Sequence, residues 1–292
     1  MSMRIRSTSR SHPARIALLA PVLPLLCMPA WAQEELPAWE AGMGVAAISI
    51  PDYRGSDKQR TYVLPLPYLV YRGETIKVDK EGAHADLFKS DTVRLDLSFN
   101  AGPPAKSSDD GARSGMPDID PTLEIGPVLK VLLSASPDRD RILSLRLPLR
   151  GVIATNFRRA KSIGWVFAPN LNYDMFDVVA PGWNFGMAAG PVFASERYHD
   201  YYYEVPQQYA TATRPAYNAK SGYSGAQFTL ALSKRFPKFW VGAFMRYDDL
   251  SGAVFEDSPL VRKKRSLMYG GGISWVFAKS SRTVTVYSEL LK

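Results

Sequence analysis

Leu267-Met268-Tyr269-Gly270-Gly271-Gly272-Ile273-Ser274-Trp275-Val276-Phe277 decides how the rest of this chain is read. Its odd positions carry the large apolar and aromatic side chains, Met268 and Val276 excepted, while its even positions carry mostly Gly and Ser. A period of two specifies a strand with two unlike faces. The same pattern recurs where Val93, Leu95, Leu97 and Phe99 alternate with Arg94, Asp96, Ser98 and Asn100. It recurs again where Leu143, Leu145, Leu147 and Leu149 alternate with Ser144, Arg146, Pro148 and Arg150. Hydrocarbon takes one side and charge the other. A soluble sandwich shows the same alternation, so the pattern alone leaves sandwich and barrel both open.

The number and spacing of such segments favour the barrel. Trp39–Ala47, Tyr62–Tyr71, Thr75–Asp79, Ala83–Phe88, Leu123–Leu132, Gly164–Asp174, Trp183–Phe193, Gln227–Ser233 and Phe239–Asp248 read as further strands. Most have the roughly 9 to 11 residues that a tilted membrane-crossing strand needs. Together they predict an all-β chain, a transmembrane antiparallel β-barrel of about 12 strands over residues 33–277. The long connections 51–60, 101–120, 194–223 and 249–266 then fall on one side, as extracellular loops. Short links such as Arg72-Gly73-Glu74, Lys89-Ser90-Asp91 and Arg235-Phe236-Pro237-Lys238 fall on the periplasmic side. This sorting requires residues 75–88 to split into two short strands near Gly82. Pro65 and Pro67 predict that Tyr62–Tyr71 is irregular or bulged, because proline removes a ladder donor. The terminal Gly-x-x-Trp-x-Phe resembles the insertion signal that closes bacterial outer-membrane barrels.

No apolar run reaches the roughly 20 residues of a spanning helix, although the N-terminus comes close. Arg4, Arg6, Arg10 and Arg15 precede an apolar segment from Ile16 to Leu26 and then Ala30-Trp31-Ala32, the pattern of a cleavable secretory signal over residues 1–32. Cys27 lies inside that leader; a lipoprotein anchor is the sharper reading of it, opposed by Leu26 where a small residue is wanted. Without the leader's arginines the formal charge falls from +8 to +4, and an exported chain of this kind points away from nucleic acid.

Inside a bilayer an unpaired backbone amide costs several kcal/mol, so a sheet persists there only when it closes on itself. Trp39, Tyr62, Trp165, Tyr173, Trp183, Phe193, Tyr269 and Trp275 are placed on the outer, apolar face near strand ends, as interfacial girdles. The opposite face would line the lumen with Arg94, Asp96, Glu124, Lys130, Arg146, Arg150, Arg246 and Asp248, joined by Glu40, Asn170, Asn172, Asp174 and Asn184. Both signs occur, so mutual pairing that narrows the lumen is expected.

Four segments carry a family resemblance. Pro51-Asp52-Tyr53-Arg54-Gly55-Ser56, Leu64-Pro65-Leu66-Pro67-Tyr68, Gly115-Met116-Pro117-Asp118-Ile119 leading to Glu124-x-Gly126, and Ser258-Pro259-Leu260-Val261 together resemble the MipA/OmpV family over nearly all of the mature chain. The resemblance implies a protein of the bacterial cell outer membrane. It also implies a scaffold that links a lytic transglycosylase to a bifunctional penicillin-binding protein in peptidoglycan synthesis. Residues 278–292 follow the insertion signal and are expected to form a periplasmic tail, although Thr283–Tyr287 alternates like one more strand.

Chemistry is sparse. His84 and His199 stand in no metal-ligand spacing and beside no nucleophile motif, so catalysis, metal and cofactor are not expected. A hydrolase assembled from distant strands around one of these histidines is the alternative. Asp109-Asp110 and Asp118-Ile119-Asp120 read as a solvated loop rather than a calcium site. The 194–223 connection holds Tyr201, Tyr202, Tyr203, Tyr209 and Tyr217, with Tyr198 and Tyr223. Such rings supply contact area at low entropic cost, for an external ligand or for folding over the mouth, and equally serve to order a long loop. Scaffold and small-solute channel are the two readings carried forward, the arginine set favouring anions in the second.

Overall fold

Strands make up most of the chain in a computed structural model that describes residues 34–286 apart from 73–75, 80, 81, 109, 110 and 157. The expected leader with Cys27, the turn at Lys80 and Glu81, the Asp109-Asp110 pair and the last residues of the tail lie outside the described residues, as does the side chain of His84. In chain order the elements are β1 (Glu34–Pro37), β2 (Trp39–Pro51), β3 (Gln59–Arg72), β4 (Ile76–Asp79), β5 (Gly82–Lys89), β6 (Val93–Gly102), β7 (Thr122–Ala135) and β8 (Arg141–Thr155). They continue with β9 (Ala160–Phe167), β10 (Asn170–Met175), β11 (Trp183–Ala194), the helix α1 (Glu196–Tyr203), β12 (Gly222–Arg235), β13 (Phe239–Asp249), β14 (Arg265–Lys279) and β15 (Thr283–Val286).

Strands β2 to β14 form one antiparallel sheet whose neighbours follow the chain, and β14 pairs back onto β2. Both β9 and β10 pair with β8 on one side and β11 on the other. They are two halves of one wall strand interrupted at Ala168 and Pro169, so the wall has 12 strands. Closure by β14 on β2 is what removes the sheet's first and last edges.

Period-two faces map onto the wall as expected for most strands. Leu267, Tyr269, Trp275 and Phe277 of β14 point outward, with Phe277 74% exposed. Gly270, Gly272 and Ser274 point in, against Phe244 and Leu66. Trp39 and Trp165 also face outward.

Strand β3 departs from expectation in two ways. It is regular rather than bulged: thirteen successive pairs with β2 run from Trp39↔Tyr71 to Pro51↔Gln59 without a shift. Its faces are also inverted, because Tyr62, Leu64, Leu66, Tyr68 and Val70 pair with the inward positions of β2, so Tyr62 is not part of the outer girdle. The cause is volume. The inner row of β2 is Glu40, Gly42, Gly44, Ala46 and Ile48, and its small members leave the lumen space that the larger row of β3 fills. At Gly44 the demand is strict, since a Cβ there would sit 2.5 Å from Ser274 Oγ, which donates to the carbonyl of Leu66 at 3.2 Å.

Below the wall, the β2–β14 ladder continues as a two-stranded ribbon in which β1 pairs with β15, Pro37 opposite Thr283. Ser280 N–H to Trp39 O and Ala38 N–H to Arg282 O, both 2.9 Å, bridge the two ladders.

Candidate functional site

Two features stand out within the barrel: a packed lid at the extracellular mouth and a charged, partly open lumen beneath it. The lid is built from the four long loops. Tyr53, Ala105, Met116, Ile119, Tyr203, Val205, Leu250, Phe255 and Leu260 share one buried core. These are residues from every long loop, so the loops fold together as a small domain rather than standing in solvent. The Tyr203 and Phe255 rings stack at 3.7 Å between centroids, and Tyr53 meets Tyr203 edge-on at 6.2 Å. Tyr53 Oη donates to Leu260 O at 2.7 Å, and Ser258 Oγ donates to Tyr203 O at 2.7 Å. Three of the four segments that carry the family resemblance therefore meet here; the fourth is β3.

Buried arginines stitch the loop backbones. Arg113 donates to the carbonyls of Tyr202 (2.9 Å) and Pro117 (3.2 Å). Arg214 donates to those of Ala112 and Ser114 (both 2.9 Å) and Tyr209 (2.8 Å). Carbonyls buried by loop packing need donors, and a guanidinium supplies up to five. Helix α1 begins at the N-cap Ser195, whose Oγ accepts from Trp165 N (3.1 Å) and Tyr198 N (3.4 Å). Gly164 lets it approach, with φ +110 and no room for a side chain, since a Cβ there would lie 2.0 Å from Ser195 Oγ.

The candidate contact tyrosines all pack within this lid. Tyr203 is part of the core, and Tyr201, Tyr202, Tyr209 and Tyr217 lie against it. Tyr201 Oη also accepts from Asp120 N at 2.8 Å.

His199 is fully buried under the lid, 4.6 Å from the Phe255 ring centroid. Its Nδ1 lies 2.5 Å from the carbonyl of Lys220 and therefore donates, which leaves Nε2 to accept from Ser224 Oγ at 3.1 Å. Burial pushes its pKa down to about 4; the Lys220 carbonyl opposes the shift and the Arg54 charge adds to it. With an ordinary value of 6.5 in the opened lid, the opened form binds the proton more readily between these limits. Lid stability is then fully present above pH 6.5 and is lost as pH falls toward 4, by on the order of 3 kcal/mol. Hydrogen exchange of the α1 amides, corrected for intrinsic rates, is expected to show this loss, and His199→Asn is expected to flatten it. An unchanged profile in the variant would assign the dependence to other groups.

The lumen charges occur as closed sets. Asp96 accepts from Arg94 Nε at 2.9 Å and lies 3.0 Å from Lys130 Nζ. Glu124 pairs with Arg150 at 2.8 Å. Asp174 takes Arg146 at 3.3 Å and Asn172 Nδ2 at 2.5 Å. Asp248 binds Arg246 at 3.0 Å, Gln227 at 2.9 Å and, from the first loop, Arg54 at 2.8 Å. Near the periplasmic end Glu40 binds Arg72 (3.1 Å) and Arg235 (2.5 Å), with Arg235 5.7 Å from the Tyr68 ring centroid. Glu40, Asp96 and Asp248 thus each hold two cations; Glu40 ties β2, β3 and β12, Asp248 with Gln227 ties β12, β13 and the first loop, and Asp96 ties β6 to β7. Sequence reading missed Arg54, Arg72 and Arg235, assigning them to loops and turns; Arg72 and Arg235 are the last residues of β3 and β12, on the same rows as Val70 and Ser233, and Arg54 reaches in from the first loop.

Between these sets is a cavity of about 500 Å³. Ile48, Leu64, Leu66, Trp240 and Phe244 line one side, and Arg146, Asn172, Asp174 and Asn184 line the other. Among the described residues no group of three or more His, Cys, Asp or Glu is arranged to hold a metal ion.

The family model described as MltA-interacting protein MipA matches residues 43–277. No curated protein matches the chain. Among solved structures, a bacterial polysaccharide outer membrane secretin shares 10% identity over 82% of this chain and 99% of its own, with a TM-score of 0.42. The NanC porin shares 10% over 81% and 98% at 0.34. The COG4313 outer membrane channel from Pseudomonas putida F1 shares 12% over 84% and 98% at 0.44.

Proposed function

The chain belongs to the MltA-interacting protein MipA family, and on that premise we propose that it is a non-conducting scaffold that docks a lytic transglycosylase at the periplasmic end of its barrel. It is an outer-membrane β-barrel protein. The observation that carries the reading is the lid: four loops with their own hydrophobic core close the outer mouth, an arrangement that opposes free passage of solutes. The lumen charges are paired with one another, which favours a structural role for them.

The periplasmic side offers what docking needs. The β1–β15 ribbon extends beyond the wall there. The turn between β10 and β11 raises Val179, 86% exposed, beside Val178. A bifunctional penicillin-binding protein, the second partner implied by the family resemblance, would join through the first. Periplasmic crosslinking from the 176–182 turn is expected to recover a lytic transglycosylase of the MltA type; recovery of unrelated barrels alone would sink the scaffold. A small-solute channel is the second reading, favoured by the cavity of about 500 Å³. In planar bilayers at neutral pH the protein is expected to stay silent under conditions where a known porin conducts. Regular conductance steps would replace the scaffold with the channel.

A further inference from the structure

Over most of its length β3 has a neighbour on one side only. Its ladder with β2 covers every residue from Gln59 to Tyr71, whereas its pairs with β4 are Tyr71↔Val78 and Arg72↔Lys77. The hairpin that should continue the wall is too short, because β4 has 4 residues against 14 in β3. On its far side that hairpin joins β6 only up to Ala85↔Leu97. Among the described residues, then, the edge of β3 from Gln59 to about Leu69 has no strand partner.

Backbone directions along β3 follow from its two ends. Arg72 N donates to Ala38 O (2.9 Å), and Asp52 N donates to Lys58 O (3.1 Å). With no register shift between them, even-numbered residues direct N–H and C=O toward β2, and odd-numbered residues direct theirs toward the open edge. Pro65 and Pro67 are odd. The two residues without an N–H therefore stand where that donor would have met no partner, in the middle of the wall. Proline on an edge also blocks addition of a further strand, so the edge is not built to receive a partner's β-strand. Unpaired backbone at membrane depth is tolerated where it is buried in protein or lines a cavity. A cavity lies directly behind: Leu64, Pro65 and Leu66 form part of its lining.

The geometry points to a lateral opening along the outer part of β3, through which a single-chain amphiphile enters the lumen from the outer leaflet. Its acyl chain lies on Leu64, Leu66, Ile48 and Phe244, and its head lies against Asn172, Asn184 and the Arg146–Asp174 pair. The lid closes the axial route, which leaves the side as the entrance. Leu64, an inward residue, is nonetheless 49% exposed, and Val63 beside the gap is 70% exposed. A cavity of about 500 Å³ falls in the range that holds a small amphipathic ligand. Arg146 and Asp174 neutralise each other at 3.3 Å, and the asparagines add hydrogen bonds without net charge, so a zwitterionic or neutral head is preferred over an anionic one.

The test uses the mature chain in dioleoylphosphatidylcholine vesicles with a lysophosphatidylcholine that carries a diazirine at the end of its acyl chain. Photolysis is expected to place adducts on the inward residues Ile48, Leu64, Leu66 and Phe244 as well as on the lipid-facing surface. Excess lysophosphatidylcholine is expected to compete for the inward adducts better than a free fatty acid does. Leu66→Trp fills the cavity and is expected to reduce adducts on Phe244 by about fivefold while those on Met43 and Met245 persist. Adducts confined to outward residues such as Met43, Leu69 and Met245 would overturn the proposal, with or without the variant. Crosslinks joining two copies of the chain through β3 would overturn it as well, by assigning the edge to strand pairing. Better competition by the fatty acid would overturn the head-group preference. None of these outcomes depends on whether the periplasmic end docks an enzyme.

Discussion

Asp248→Ala is expected to destabilise the folded barrel by about 3–5 kcal/mol, the cost of removing one partner from a buried charge set. Asp248 is fully buried and holds Arg54 at 2.8 Å, Gln227 at 2.9 Å and Arg246 at 3.0 Å. Truncation leaves two guanidinium groups in a confined space without their counter-charge. The damage extends upward, because Arg54 belongs to the first loop and its carbonyl accepts from Tyr203 Oη at 2.9 Å. Tyr203 in turn stacks on Phe255. One carboxylate on the wall thus anchors the core of the lid. Asp248→Asn keeps acceptor capacity and loses only charge, so a smaller loss is expected. Thermal midpoints from heat-modifiability gels order the variants, and protease cleavage within 195–221 reports on the lid separately. Combining Asp248→Ala with Arg54→Ala is expected to show a coupling above about 1 kcal/mol. Additive losses would mean that the lid is held by its own core alone.

How far these features were legible in the sequence depended on whether they have a period. Leu267–Phe277 and Leu143–Leu149 announce their faces, because adjacent side chains in a strand must point to opposite sides. The division of residues 75–88 near Gly82 was likewise readable, with β4 ending at Asp79 and β5 beginning at Gly82. Strand β3 shows where periodicity stops being enough. Its alternation is clear, but which row meets lipid is set by the neighbouring Gly42, Gly44 and Ala46, and that constraint exists only once register is known. The candidate lumen residues on strands were read from the same alternation. Arg72 and Arg235 were not, because β3 and β12 run past the expected ends at Tyr71 and Ser233, and Arg54 was not, because a loop side chain has no period to place it. The lid was least readable: Tyr53, Met116, Tyr203 and Leu260 are scattered over more than two hundred residues, and only the closed ring brings them together.

Replacing Pro65 and Pro67 together by valine is expected to lower stability, although the opposite would hold for a strand paired on both sides. In such a strand each restored N–H completes a ladder bond worth about 1 kcal/mol net. On the open edge of β3 each restored N–H faces no acceptor and costs about 1–3 kcal/mol where water is scarce. The added freedom of the unfolded chain contributes a further loss of about 0.4–1 kcal/mol per site. The combined loss should therefore exceed about 2 kcal/mol, more than chain entropy accounts for. The two introduced side chains would keep the outward positions that Pro65 and Pro67 hold between Val63 and Leu69, so burial of apolar surface changes little and backbone satisfaction dominates the result. The protein has a second way to relieve the new donors, by pairing β3 with the same edge of another copy. A shift from monomer to dimer in detergent would accompany the loss in that case and would itself mark the edge as open. A midpoint that rises, with the chain still monomeric, would mean that β3 finds a strand partner on both sides and that the wall has no lateral gap.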